Sequence, residues 1–170
     1  VAERLAQRDG LLVVDEAFGE VAPGLSVIPH LGALPIVVLR SFGKFYGLAG
    51  LRLGFVLGQD ARVERLRERV GDWPVSGPAL SLGRKALADS AWQSATRQRL
   101  AAARSRLESL VSGAGLAIEG GTDLFVLVRT PQAVAIHGSL ARAGIWTQRF
   151  DDALIDAVDA VLAGDARVAA

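Results

Sequence analysis

The chain has 170 residues, with 19 basic and 18 acidic side chains and a formal net charge of +1. That balance, with the arginines spread rather than massed, argues against a nucleic-acid partner. Zero cysteines exclude disulfides and thiolate metal sites, and two histidines far apart, His30 and His137, give no basis for an imidazole-held metal. No apolar run approaches the roughly 18 residues of a membrane span. No secretory leader is visible, so no membrane partner and a cytoplasmic location are expected.

Ala2 to Arg8 reads as the end of a helix that Asp9-Gly10 stops. Leu11 to Val14 is a short, wholly apolar run of the kind buried on both faces of an α/β sheet. Asp15 to Pro35 is mostly loop, broken by Pro23-Gly24, Pro29 and Pro35. Ile36 to Leu39 is a second buried strand, Arg40 to Gly50 a glycine-rich loop, and Leu51 to Leu57 a third strand. No crossover helix separates the second and third strands, which makes that pair antiparallel in expectation.

Asp60 to Val70 is a charged helix whose Glu64/Glu68 and Arg65/Arg69 pairs, each four apart, read as a solvated face. Gly71-Asp-Trp-Pro-Val-Ser-Gly-Pro78 breaks the chain and reads as a hinge toward a smaller unit. Ala79 to Ser90 and Trp92 to Ser112 follow as helices. In the second, Leu100, Leu107, Leu110 and Val111 recur at helical spacing. Leu116 to Glu119 and Leu124 to Val128 suggest strands, Pro131 to Ala143 a helix with proline near its first turn, and Ile145 to Thr147 the start of another strand. The expected architecture is α/β: a large-domain portion over 1–72, a small two-layer α/β domain over 73–150, and a short acidic, weakly helical tail over 151–170.

Two residues carry a chemical signal. Lys44 is one of two lysines beside 17 arginines, so it stands where the chain has not used its preferred cation. A guanidinium stays protonated and forms no imine, whereas a lysine amine can lose its proton and condense with a carbonyl. Asp15 ends the first apolar strand, where ligands dock in open α/β sheets. An imine-forming lysine with an acid for a pyridine nitrogen is the pairing that pyridoxal-phosphate chemistry needs. Each residue alone has a plainer reading: a lysine in a glycine-rich loop is ordinarily solvated, and an aspartate closing an apolar run ordinarily caps a turn. Their order across two strands, with Arg52 eight residues after Lys44, favours the chemical reading.

The stretch Leu11-Leu-Val-Val-Asp-Glu-Ala-Phe18, with Leu39-Arg-Ser-Phe-Gly-Lys-Phe-Tyr-Gly-Leu-Ala-Gly-Leu-Arg-Leu-Gly-Phe55, resembles the active-site core of the class I/II aminotransferases, the fold-type I pyridoxal-phosphate enzymes. Gly120-Gly-Thr-Asp-Leu-Phe125 and Gly144-Ile-Trp-Thr-Gln-Arg-Phe150 are similar to the small domain of the threonine-phosphate decarboxylase group, whose nearest relatives are histidinol-phosphate aminotransferases. The resemblance implies the C-terminal portion of a mostly parallel large-domain sheet plus an α/β small C-terminal domain. Family members run to about twice this length, so the chain reads as the C-terminal half of a homodimeric enzyme that takes a phosphorylated amino-acid substrate.

Residue by residue, the resemblance places Asp15 against the cofactor's pyridine nitrogen and makes Lys44 the imine-forming lysine and later proton shuttle. It gives Ser41 and Arg52 to the cofactor phosphate. Phe18 stands where histidinol-phosphate aminotransferases carry a tyrosine that hydrogen-bonds the cofactor's 3-oxygen, a bond phenylalanine cannot make. That points to decarboxylation of L-threonine O-3-phosphate to 1-aminopropan-2-yl phosphate for cobalamin synthesis. Gly43 departs from relatives with Ser or Thr there as a second phosphate donor. Gly50 and Gly54 suggest close backbone approach. Arg40, Tyr46, Gly120, Gly121 and Arg149 receive no role. The phosphate-binding Gly/Ser loop, the ring-stacking aromatic and the carboxylate-clamping Arg of the family have no counterpart in the chain, and Arg167 stands in a different context. An aminotransferase acting on histidinol phosphate or another amino acid is the near alternative. A non-catalytic remnant of the fold is the alternative of a different class.

Overall fold

A computed structural model describes residues 2–7 and 10–151. The tail beyond Asp151, with Arg167, lies outside the described residues, as do Arg8, where the first helix is expected to end, and Asp9 of its expected Asp9-Gly10 stop.

The first sheet contains β1 (Leu12–Asp15), β2 (Ile36–Ser41) and β3 (Gly54–Leu57) in that spatial order. β1 and β2 are parallel, with Leu12 opposite Ile36 and Asp15 opposite Leu39. β2 and β3 are antiparallel, with Ser41 opposite Gly54. The antiparallel expectation therefore holds: the 12-residue connection from Phe42 to Leu53 contains only one short 3₁₀ turn, Ala49–Leu51, not a crossover helix. The third strand starts later than the apolar run suggests. Arg52 adopts a left-handed conformation, φ 50°, which interrupts extended backbone just before Gly54. β2 is longer than expected and takes Arg40 and Ser41 into the sheet.

Alternation along the strands gives the sheet two unlike faces. Leu12, Val14, Ile36, Val38 and Leu57 pack with Ala2, Val27, Ile28, Leu31 and Leu34. The opposite face carries Asp15 and Ser41 together with Val13, Leu39 and Val56, and these three apolar side chains are 55%, 36% and 41% exposed. The expectation that β1 is buried on both faces fails here, because among the described residues nothing covers that side of it.

Helix α1 (Ala2–Ala6) precedes the sheet, and α2 (Asp60–Val70) follows it with Glu64, Arg65, Glu68 and Arg69 exposed as expected. α3 (Gly77–Ala88) begins two residues earlier than its apolar pattern, because the Ser76 side chain accepts the Ala79 amide and Pro78 suits the first turn. α4 (Ser90–Gly113) is capped by Asp89, whose carboxylate accepts the Trp92 amide at 2.9 Å. Its predicted apolar stripe is only partly used: Leu107 and Leu110 are exposed. Leu100 packs against a buried cluster, Trp92 meets aromatic rings, and Arg104 adds a polar dock.

The hairpin β4 (Ile118–Thr122) and β5 (Phe125–Val128) forms a separate two-stranded antiparallel sheet, followed by α5 (Ala133–Arg142). Arg104 donates to the carbonyls of Gly120, Thr122 and Phe125 and pairs with Glu108. Gly121 makes room for it. Its φ is +141°, and a Cβ there would overlap both the Arg104 guanidinium and the Phe125 carbonyl. The strand expected at Ile145–Thr147 is absent; the segment is unpaired coil. Thr147 Oγ1 instead meets His137 Nδ1 at 2.9 Å, and Trp146 stands edge-on to the His137 ring, which ties the segment to α5 rather than to a sheet.

Candidate active site

The parallel pair ends at Asp15 and Ser41, on adjacent strands and on the same face. This is the C-terminal end of parallel strands, where side chains and loop backbone are free to meet a ligand. Asp15 is exposed; its Oδ1 accepts the Ala17 amide at 2.9 Å, which shapes the turn after β1, and Oδ2 has no partner among the described residues. Ser41 Oγ accepts the Gly43 amide at 3.1 Å and keeps its hydroxyl hydrogen to donate. Arg52, two residues before β3, returns to the same end of the sheet. Its guanidinium is exposed and makes no hydrogen bond or ion pair with the described residues. An arginine held in the left-handed region with an uncommitted head group is a strained position of the kind that accumulates at ligand sites.

Lys44 sits on a loop anchored from beneath. Phe42, Phe45, Tyr46 and Leu53 are buried around it, with Val21 beside them. Tyr46 stacks on Phe42 with centroids 4.3 Å apart and on Trp92 at 5.9 Å, and Phe45 meets Trp92 edge-on. Backbone bonds from Leu48 to Phe42 and from Gly47 to Lys44 close the loop, with Gly47 at φ +66°. Tyr46 thus packs under the loop. Burial first, and the Glu20 carboxylate second, push its phenol above the ordinary value of 10.0, against the opposing pull of Arg97 and Arg40.

The Lys44 amine projects from this platform over Phe18, with Nζ 5.6 Å from the ring centroid. Phe18 in turn meets Phe125 of β5 edge-on at 5.4 Å. The small hairpin therefore reaches the same corner as the strand-end residues. A Cβ at Gly43 would meet Ser41 Oγ at 3.4 Å and Ala49 Cα at 3.6 Å, ordinary contacts that leave room for a hydroxyl-bearing residue. The Gly43 amide is committed to Ser41. Gly54 does need its bare Cα: a Cβ would lie 3.0 Å from the Arg40 carbonyl.

Sequence reasoning missed the layer beneath. Arg40, on the face opposite Ser41, bridges Glu16 at 2.9 Å and Glu20 at 2.8 Å, all three largely buried. Arg97 of α4 donates to the Glu20 carbonyl at 2.7 Å and stands over the Phe45 ring. The available signal was alternation: if Ser41 faces the ligand side, Arg40 must point the other way, where only a carboxylate makes it affordable. Arg149 is exposed, and its carbonyl accepts the Gln148 side chain. Two hollows of the surface lie around Leu31, Val56 and Val63 and around Gly10, Pro35 and Arg62.

A carboxylate, a hydroxyl and a guanidinium thus stand at one end of a mixed α/β sheet, with a lysine amine on the connection between β2 and β3. Residues 1–163 match the Aminotransferase class I and II family, and the chain belongs to it. It is 44% identical over 148 residues to a threonine-phosphate decarboxylase of Pseudomonas aeruginosa, covering 87% of this chain and 45% of that protein. A Sinorhizobium threonine-phosphate decarboxylase is 45% identical over 89% of this chain and 45% of its own length. A histidinol-phosphate aminotransferase of Xylella fastidiosa is 38% identical over 79% of this chain and 38% of its own. The crystal structure of histidinol-phosphate aminotransferase from Sinorhizobium meliloti in complex with pyridoxal-5'-phosphate superposes with a TM-score of 0.74 at 29% identity, covering 86% of this chain and 44% of that one. The chain thus spans less than half the length of the relatives it matches. No helix among the described residues is long and apolar enough to cross a membrane.

Proposed function

We propose that the chain carries the lysine-bearing half of a pyridoxal-5'-phosphate site, and that the enzyme at the full length of its relatives decarboxylates L-threonine O-3-phosphate. The residues present fit the cofactor chemically: an amine for its aldehyde, a carboxylate for its ring nitrogen, and a hydroxyl and guanidinium for its phosphate. When bound, the cofactor supplies an electron sink for the pair left on the substrate α-carbon.

Asp15 holds the proton on the pyridine nitrogen by opposite charge. Arg52 and Ser41 fix the phosphate, the guanidinium by a charge-assisted bond. Lys44 would hold the cofactor through its aldehyde, yield that place to the substrate amine, and return a proton from Nζ to the substrate α-carbon once the carboxylate has left as CO₂. Its amine would then retake the cofactor, which frees the amine of 1-aminopropan-2-yl phosphate.

The single observation that favours decarboxylation is Phe18 beneath the Lys44 amine. A side chain without a hydroxyl occupies the position where the resembled aminotransferases place a phenol. The likeness to histidinol-phosphate aminotransferases supports the second reading, transamination of a phosphorylated amine. Incubating the full-length enzyme with threonine phosphate tests both: CO₂ and the phosphorylated amine are expected, with no glutamate from 2-oxoglutarate. Stoichiometric glutamate from histidinol phosphate and 2-oxoglutarate would establish the second reading instead. The division into a cofactor-binding portion over 1–72 and a smaller domain over 73–150, and a homodimeric assembly, belong to the same proposal. Limited proteolysis near Trp73 and sedimentation of the full-length enzyme test them.

A further inference from the structure

We propose that Arg40 is a positioning residue that holds the Asp15–Phe18 turn in register with the Ser41–Lys44 loop; the consequence for the cofactor rests on the functional reading above. Asp15 and Lys44 come from different connections, and no bond between their side chains fixes their relation. Beyond the Glu16 amide's bond to the Leu39 carbonyl and the contact of Lys44 with Phe18, the guanidinium on the other side of the sheet joins the two connections through side chains. Arg40 precedes Ser41 in β2. Its Nη2 meets Glu16 Oε2 at 2.9 Å, and Glu16 follows Asp15 directly. Its Nη1 meets Glu20 Oε1 at 2.8 Å, at the far end of the turn that presents Phe18.

The arrangement is built around that guanidinium. A Cβ on Gly19 would stand 3.0 Å from Arg40 Cζ and Nη1, so the turn leaves out a side chain where the arginine lies. Glu16 is fully engaged: Oε1 accepts the Val27 amide at 2.7 Å and Oε2 accepts the Ser26 hydroxyl at 2.8 Å, while Ser26 Oγ also receives Arg40 Nη2. The turn closes with Gly19 donating to the Glu16 carbonyl and Val21 to the Phe18 carbonyl. Arg97 adds a second strut, bonded to the Glu20 carbonyl and stacked over Phe45, next to Lys44.

Two carboxylates buried against one guanidinium are a costly way to gain stability, since an apolar cluster of equal volume stabilises as well or better. The network is also incomplete among the described residues, where Arg40 Nε and Glu20 Oε2 are buried without partners. Its distinct property is geometric: one planar, five-donor head group spans two acids four residues apart in a rigid fork, an orientation that the three rotatable donors of a lysine ammonium do not fix. An error of about 1 Å between reacting groups costs on the order of 100-fold in rate, so a rigid tie between the two loops has a function that stability alone does not require.

The test uses the full-length enzyme with Arg40→Lys and two readouts. In the apoprotein, amide hydrogen exchange at Ala17, Gly19 and Val21 is expected to speed at least tenfold, with the β2–β3 amides unchanged. In the holoenzyme, the Lys44-dependent absorbance band is expected to shift its pH midpoint. With it, kcat should fall about 10- to 100-fold at little change in KM, since misplacement acts after binding. Unchanged exchange at the turn, or a wild-type band and kcat within twofold, would overturn the proposal whatever happens to the melting temperature. Should Arg40→Lys not fold, Glu20→Gln keeps the Arg40–Glu16 pair and is judged by the same outcomes. If the wild type shows no Lys44-dependent band, the cofactor reading fails; the exchange readout still decides whether Arg40 ties the turn.

Discussion

Lys44 Nζ stands 5.6 Å from the centroid of Phe18, and this contact brings the loop after β2 onto the turn after β1. A cation over an aromatic face gains about 0.5–1 kcal/mol at an exposed site. The amine is thus loosely guided rather than locked.

Lys44 is the first residue to test. Borohydride treatment of the full-length enzyme with bound cofactor is expected to fix the pyridoxyl group on Lys44, and Lys44→Ala is expected to lose the corresponding absorbance. Lys85, exposed on α3, is the internal control. A label found there by peptide mapping would sink the assignment.

Asp15→Asn preserves shape and the acceptor for the Ala17 amide while removing charge. Loss of a preorganised electrostatic partner costs about 10²- to 10³-fold in turnover. Cofactor binding is expected to survive. Steady-state kinetics near the wild-type rate would reduce Asp15 to a turn residue.

Gly121→Ala places a methyl group against the Arg104 guanidinium and the Phe125 carbonyl, at a φ that side chains avoid. The expected loss is roughly 3 kcal/mol, from overpacking and backbone strain together. A Cβ on neighbouring Gly120 would meet nothing within 4 Å, so Gly120→Ala should stay within about 1 kcal/mol of wild type. Urea denaturation of the two variants compares them directly, and equal midpoints would refute the latch between α4 and the hairpin.

Tyr46 makes the fold sensitive to alkali. Its phenol is raised above 10.0 by burial, then by Glu20, so the folded state holds the proton more tightly than the unfolded chain does. That contribution is complete below the unfolded value and is lost as pH rises through the folded one. Melting temperatures should therefore fall above pH ~10, and Tyr46→Phe should flatten this limb. An identical alkaline limb in the variant would show that another group is responsible.

The 170-residue chain alone is expected to bind pyridoxal phosphate weakly and to self-associate. Val13, Leu39 and Val56 lie exposed on the sheet face that also carries Asp15 and Ser41, and β1 has an open edge. Such faces and edges pair between copies. Sedimentation should show mass rising with concentration. Saturable binding at low micromolar cofactor, lost in Lys44→Ala, would mean that these residues alone build the site.

Much of this was legible in the residues. Apolar runs between breakers located all three strands of the first sheet to within a few residues, and the lack of a crossover predicted their mixed directions. The helix over 60–70 was read to the residue, because its charges mark solvent and its flanks carry stop signals. Lys44 and Asp15 stood out by rarity and by position at a strand end. The third strand was read too long, because a run of apolar residues does not disclose that Arg52 turns left-handed. A strand was expected at Ile145–Thr147, because β-branched and aromatic residues suit one. Whether a partner strand exists is not a local property, and here the segment binds His137 instead.

The sequence by itself determined the class of fold and the chemical kinds present: one loop lysine, a strand-end acid, and a hydroxyl and an arginine in the right order. These follow from local rules, since strand period, glycine turns and the reactivity of an amine depend on residues near one another in the chain. Only the tertiary structure decided which groups meet. The pairing of Arg40 with Glu16 and Glu20, the contact of Phe18 with both Lys44 and Phe125, and the entry of Arg104 over Gly121 join residues up to 107 positions apart. Such contacts arise from the register of strands and the docking of helices. Many sequences share that local pattern, and only the packed chain selects among the partners it allows.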